Sequence, residues 1–123
     1  MRKRRNVDRL VVQKIVNYCD KVSAFMNRFG ATFEAYGRDE AYQLACSACI
    51  LQIGELTTRL SDEFKVQHAD IPWQQIKGLR NIHAHDYESI NLELMWEILT
   101  QNIPTLKSQL EKILAAEVDT DEH

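Results

Sequence analysis

Residues 6–29 read NVDRLVVQKIVNYCDKVSAFMNRF. Apolar residues recur in this stretch at steps of three and four, which places them on one face of an α-helix. Asn6 is suited to the N-cap and Gly30 to the position just beyond the C-cap. The segment therefore predicts one long amphipathic helix. The positions expected to face inward are Val7, Leu10, Val11, Ile15, Tyr18, Cys19, Val22, Phe25, Met26 and Phe29.

The same helical periodicity returns through the rest of the chain. In the second helix, small residues such as Ser47 and Gly54 would allow a close helix neighbour, and Cys46 and Cys49 face inward. We predict an all-α, up-and-down bundle of four main helices, in which sequential helices are antiparallel neighbours. The second helix runs from Arg38 or Asp39 to Leu60, and a short helical turn follows Ser61. After a loop at residues 68–72, a third helix covers residues 72–86 and Asn91 caps a fourth. A fifth helix begins near Pro104 and is either separate or a kinked continuation of the fourth.

Length and composition describe one globular domain over residues 1–123. Of the residues, 45% are apolar and 27% are charged. Residues 1–5 form a basic tail with four of the 15 Lys and Arg, and residues 117–123 form an acidic tail with four of the 18 Asp and Glu. The remaining body is mildly acidic, with 11 basic and 14 acidic residues. No apolar run is long enough for a membrane span or a signal peptide, so we expect a cytoplasmic protein. Its three cysteines, an odd number, are expected to be reduced core thiols.

Residues 80–87 read RNIHAHDY and form the densest polar cluster in the chain. An arginine fork matches the oxygens of a phosphate group, and a histidine can transfer protons at neutral pH. On an ideal helix, Arg80 and His85 would be separated by a rise of about 7.5 Å and a rotation of about 140°. These residue types suit cleavage of an RNA phosphodiester. One imidazole cannot be acid and base at once, so the second group would be His83 or a second copy of His85 across a two-fold interface.

The motif Arg80-Asn81-x-x-x-His85-x-Tyr87 resembles the RxxxxHxY signature of HepT-like toxin ribonucleases, which belong to the HEPN superfamily of α-helical proteins. Further similar segments occur in the same order along the chain. They are Ile53-Gly54-Glu55, Ile71-Pro72-Trp73, Trp96 and Ile103-Pro104. The resemblance covers roughly residues 8 to 115.

The resemblance implies a metal-independent endoribonuclease without a cofactor, cutting mRNA or tRNA as the toxin of a type VII-like toxin–antitoxin system. Arg80 and His85 would be the catalytic pair, and Asn81 would help to shape the site. Family members are typically homodimers whose motifs share a cleft. Tyr87 would accept AMP from an MntA-like nucleotidyltransferase antitoxin. The signature does not require His83, so the role of this residue stays open.

A different function is compatible with the same residues. The protein would then be a non-catalytic helical binding module that serves as the partner and substrate of a minimal nucleotidyltransferase, a reading that the mildly acidic body favours. Arg80 would in that case only complement the helix dipole. A metal site at His83, His85 and Asp86 is disfavoured, because alternate positions on a helix point their rings apart. Trp73 and Trp96 are expected in the core or at an interface.

Overall fold

The computed structural model describes residues 2–81 and 92–121, and the side chains of residues 6–81 and 92–116. Within this part the chain is helical and contains no strand. The predicted all-α class is confirmed. The elements are α1 (Arg2–Phe29), α2 (Phe33–Gly37), α3 (Glu40–Thr57), α4 (Asp62–Gln67), α5 (Trp73–Gly78), a 3-10 turn (Leu79–Asn81), α6 (Leu92–Glu97), a π-helical turn (Ile98–Asn102) and α7 (Ile103–Asp121).

Helix α3 lies at the centre of the bundle. It packs against α1 on one side, and against α5 with the following 3-10 turn on the other. Helix α7 packs against α1, and α6 joins α7 through the π-helical turn. The short α2 contacts both α3 and α6. The helical bundle therefore consists of four layers. They are α1, α3, α5 with the turn that follows it, and the rod formed by α6 and α7. None of the described helices is both long and apolar enough to cross a membrane.

Three of the predicted helix ends are confirmed. Gly30 has a φ of 116°, a backbone conformation that favours glycine, and its N–H donates to the Met26 carbonyl at 2.9 Å. The Asp39 carboxylate accepts a hydrogen bond from the Tyr42 N–H at 3.3 Å and caps α3. The Ser61 hydroxyl caps α4 in the same way.

The two chain ends differ from the prediction. Helix α1 begins at Arg2, so Asn6 is not its N-cap, and α7 extends to Asp121, well into the expected acidic tail. The reason is that Lys and Arg at one end and Ala, Glu and Asp at the other include no helix breaker, so each helix continues through its charged residues.

The buried stripe of α1 is displaced from the predicted one at its start. Val7 and Leu10 are exposed, whereas Val12 is fully buried. The buried face contains Val12, Ile15 and their neighbours because α1 packs against both α3 and α7, and Val7 and Leu10 lie beside that face. The predicted inward positions from Val11 onward are buried or partly buried against the core.

The fourth and fifth predicted helices form one continuous rod, as the second of the two predicted alternatives proposed. Pro104 has no N–H to donate to a carbonyl one turn earlier, and the π-helical turn immediately precedes it. Two threonine hydroxyls donate hydrogen bonds to main-chain carbonyls in this region. Thr100 donates to the Trp96 oxygen and Thr105 to the Gln101 oxygen, each at 2.8 Å. Asn91, the predicted cap of the fourth helix, lies outside the described residues.

The cysteines and tryptophans lie in or against the core, as predicted. Cys19, Cys46 and Cys49 are free, buried thiols, and burial raises the pKa of Cys19 and of Cys46 to about 12, so both thiols stay protonated at neutral pH. Trp73 is buried and Trp96 packs against the core, where its ring centroid lies 5.4 Å from that of Tyr36.

A buried carboxylate connects the start of α1 to the start of α4. Asp8 is only 5% exposed, and it accepts hydrogen bonds from the Ser61 N–H at 2.9 Å and the Ser61 hydroxyl at 2.6 Å. The same hydroxyl oxygen accepts from the Phe64 N–H at 3.2 Å. One network therefore anchors α1 and caps α4.

We expect Asp8→Ala to lower the free energy of unfolding by about 1–3 kcal/mol, because it leaves the buried Ser61 donors without their acceptor. Urea denaturation measures this change. Asp20→Ala is the matched control: Asp20 pairs with Lys107 at 2.6 Å on the surface, where solvent screens the pair, so its loss should have little effect on stability. Equal losses in the two variants would contradict a special role for the buried carboxylate.

Candidate functional site

Arg80 lies in the 3-10 turn that follows α5. Helix α5 ends at Gly78 and Arg80 is in a 3-10 conformation, so the α-helix predicted over residues 72–86 does not continue as far as Arg80. The exposure of Arg80 is intermediate, and its neighbour Asn81 is exposed. Both side chains therefore remain accessible on a turn whose backbone packs against α3.

Gly54 on α3 allows this turn to approach. A Cβ atom built on Gly54 would lie 3.0 Å from the Arg80 Cα and 3.1 Å from its Cβ, and closer still to the Arg80 backbone nitrogen. Backbone atoms of this kind cannot move aside as the end of a flexible side chain could. Gly54, itself buried, thus lets the backbone that carries the arginine lie directly on α3. The predicted role of small residues in close helix packing is confirmed here.

The start of α5 is fixed by an aromatic anchor. Trp73 is buried, and its indole Nε1–H donates to the His68 carbonyl at 3.0 Å. Its ring centroid lies 5.9 Å from that of Phe64 on α4. One turn later, Ile76 is also buried. Because α5 is only six residues long, these contacts set the position from which the chain reaches Arg80.

A groove lies beside the turn, between α5 and the rod formed by α6 and α7. Its volume is about 490 Å³, and its wall includes Leu79, the residue before Arg80. Leu94, at the opposite lip, is 52% exposed. The groove also contains Ile76, Ile98 and several amide side chains, so an apolar surface borders the site.

The structure places two of the predicted site residues. Arg80 and Asn81 are consecutive on one turn. His83, His85 and Tyr87 lie outside the described residues, as does Asp86. Within the residues that are described, no group of three or more His, Cys, Asp or Glu side chains is arranged to hold a metal ion.

Comparison with known proteins gives the family. The model of a family described as "Ribonuclease HepT-like" matches residues 15–113, which include every described residue of the site. The chain belongs to the HepT-like ribonuclease family. This confirms the resemblance found in the motif around Arg80.

Named relatives agree with this assignment. A protein of Caldanaerobacter subterraneus subsp. tengcongensis, whose name assigns it provisionally as an RNase, is 33% identical over 88 residues, covering 72% of this chain and 79% of that protein. A Thermococcus cleftensis protein named a probable ribonuclease HepT is 30% identical over 81 residues. The match covers 66% of this chain and 74% of that protein. No solved structure gives a significant match.

The sequence predicts Arg80 and Asn81 as site residues, but it does not predict the contacts that support them. The sequence marks Gly54 as a small residue in a segment that resembles the family. Its contact with the Arg80 backbone joins distant parts of the chain, so no local pattern predicts it. The hydrogen bond from Trp73 to His68 was missed. Its only signal in the sequence is a tryptophan directly after Pro72.

We expect Gly54→Ala to lower the free energy of unfolding by about 1–3 kcal/mol, because the added methyl group overlaps the Arg80 backbone. Urea denaturation measures the loss. Gly78→Ala is the matched control, since a Cβ at Gly78 meets no atom within 4 Å and alanine favours the helix. The control should match or slightly exceed the stability of the wild type, and an equally large loss there would contradict the steric explanation.

Proposed function

We propose that the protein is a metal-independent endoribonuclease that cuts mRNA or tRNA, and that it is the toxin of a type VII-like toxin–antitoxin system. The observation that carries this proposal is the position of Arg80: an accessible arginine, on a turn fixed against α3 by Gly54, within the RxxxxHxY motif of a HepT-like family member. A guanidinium held in this way can bind a phosphate without first ordering its own backbone.

The chemistry follows from the two motif residues. Arg80 binds the phosphate oxygens and stabilises the negative charge that builds up as the 2′-oxygen attacks the phosphorus. His85 accepts the proton of the 2′-hydroxyl or donates a proton to the departing 5′-oxygen. The bond from phosphorus to the 2′-oxygen forms and the bond to the 5′-oxygen breaks. Asn81, adjacent to Arg80 and exposed, is available for a polar contact with the RNA.

A homodimer would supply the second proton-transfer group. Each subunit offers one motif histidine, and acid and base catalysis require two groups at once. The apolar groove beside Arg80, with Leu94 exposed at its lip, supports this arrangement because it is a surface that a second subunit could cover. His83 is the alternative second group within one chain.

Purified protein should cleave total RNA in the presence of EDTA. We expect Arg80→Ala and His85→Ala each to lower the cleavage rate at least about 100-fold, since each removes a group used in the transition state. Lys112→Ala changes an exposed residue of α7 outside the candidate site and should retain full activity. Gel analysis of labelled RNA measures the rates. Equal rates in the wild type, the two motif variants and the control would favour the binding-module function instead.

The proposed restraint is transfer of AMP to Tyr87 by an MntA-like nucleotidyltransferase antitoxin. The added phosphate would place negative charge seven positions after Arg80 and compete with RNA for the guanidinium. Tyr36 and Tyr42 are poor acceptors because both rings are buried.

Incubation with the antitoxin and ATP should add AMP to the chain, and peptide mapping by tandem mass spectrometry should locate it on Tyr87. We expect the modification to be absent from Tyr87→Phe and RNA cleavage by the modified wild type to be lost. AMP uptake that persists unchanged in Tyr87→Phe would show that another residue is the acceptor.

A non-catalytic binding module remains the second candidate function. The observation in its favour is the formal net charge of −3, which is unusual for a protein that binds RNA strongly. In that case the antitoxin would still modify the chain, while the motif residues would have no effect on RNA.

A further inference from the structure

A second polar pocket lies between α1 and α3, on a different side of α3 from the Arg80 turn. Its volume is about 300 Å³. We call it the basic pocket. The residues that line it are Lys14, Asn17, Tyr18 and Lys21 from the α1 side, and Gln52, Glu55, Leu56 and Arg59 from the α3 side.

The charge of the basic pocket is opposite to that of the whole protein. Three cations line it against one carboxylate, Glu55, whereas the chain carries a formal net charge of −3. Within the described residues, neither Lys14 nor Arg59 forms a salt bridge, in contrast to Lys107, which pairs with Asp20. The positive charge of these two side chains is therefore available to a ligand.

Two of the three cations lie in a row on α1, and the third, Arg59, lies on the facing segment. Lys14 and Lys21 are seven residues apart on α1, which places them on the same side of the helix and about 10.5 Å apart along its axis. On the facing segment, Gln52 and Arg59 are also seven positions apart in the sequence. The hydrogen bonds from Ser61 to Asp8 hold the two segments in register. The pocket is thus an elongated strip rather than a single point of charge.

The other lining groups suit a nucleic acid more than a small anion. The Lys21 ammonium lies over the half-buried Tyr18 ring, 4.5 Å from the ring centroid, so a base that stacks on this ring takes the place of the ammonium. Asn17 and Gln52 add amide donors for phosphate or sugar oxygens. A positively charged groove with an aromatic ring is the combination by which proteins bind single-stranded RNA.

We propose that the basic pocket binds backbone phosphates of single-stranded RNA, away from the bond that is cut. This inference rests on the proposed ribonuclease function. Helix α3 connects the two sites: Gly54 supports the Arg80 turn, and the adjacent Glu55 lines the basic pocket. Adjacent residues of an α-helix differ by about 100° around its axis, so the two sites lie on neighbouring faces of the same segment of α3. An RNA strand that crosses the surface of the bundle beside this segment can contact both.

The test compares two double variants with the same change in charge. Lys14→Glu with Arg59→Glu reverses the pocket, and Arg38→Glu with Lys112→Glu reverses exposed charges elsewhere. Each double variant is made in protein that also carries His85→Ala, so that the RNA stays intact. Fluorescence anisotropy measures the affinity for a labelled single-stranded RNA at several salt concentrations. Because the four side chains are exposed, the fold should be retained, and urea denaturation checks this.

We expect the pocket variant to bind RNA at least tenfold more weakly than the control variant. The slope of log affinity against log salt concentration should become shallower by about 1 to 1.5, as expected when two phosphate contacts are lost. The neutral variant Lys14→Gln with Arg59→Gln should show an intermediate loss. Equal affinities in the pocket and control variants would overturn the proposal, as would no RNA binding by the parent protein.

The outcomes separate this inference from the proposed function. If wild-type protein cleaves RNA but the pocket and control variants bind it equally, only the basic pocket is wrong. If the wild type fails to cleave RNA while the pocket variant binds selectively less, the ribonuclease proposal fails and the binding site stands.

Discussion

The close contact between Gly54 and the Arg80 backbone is the constraint on which the described site depends. No side chain intervenes, so the turn that follows α5 lies directly on the central helix. The position of the arginine is consequently determined by packing of backbone against backbone, which has fewer ways to relax than a contact between long side chains. Helix α3 is well suited to this role, because it also packs against α1 and so lies between two layers of the bundle.

Much of the fold could be predicted because its signals are local. Apolar spacing predicted α3 and most of α1, and the capping residue Ser61 marked the start of α4. The elements that were missed lack such signals. Helix α2 has five residues, too few to show a period, although it buries Tyr36. The exposure of Val7 and Leu10 depends on which face of α1 its neighbours cover, and the apolar spacing of α1 alone does not give this face.

Only part of the candidate site could be predicted from the sequence. The motif predicts Arg80 and Asn81 as site residues through residue type and order, and the structure places them on one accessible turn. The change from α-helix to 3-10 turn at Leu79 was not predicted, because Gly78 and the residues after it are compatible with either geometry. Contacts between distant segments, such as Gly54 with Arg80, have no local pattern. His85 and Tyr87 rest on the motif alone.

The connection between Asp8 and Ser61 has a consequence for the order in which the chain folds. The two residues are separated by 53 positions, so their hydrogen bonds close a long loop that carries a substantial entropic cost. Helices α1 and α3 can meet first as a hairpin, since their contacts span a shorter length of chain. We expect the link at Ser61 to form on the assembled pair of helices, together with the cap that starts α4. Folding of the segment that leads to the arginine is thereby coupled to completion of the hairpin.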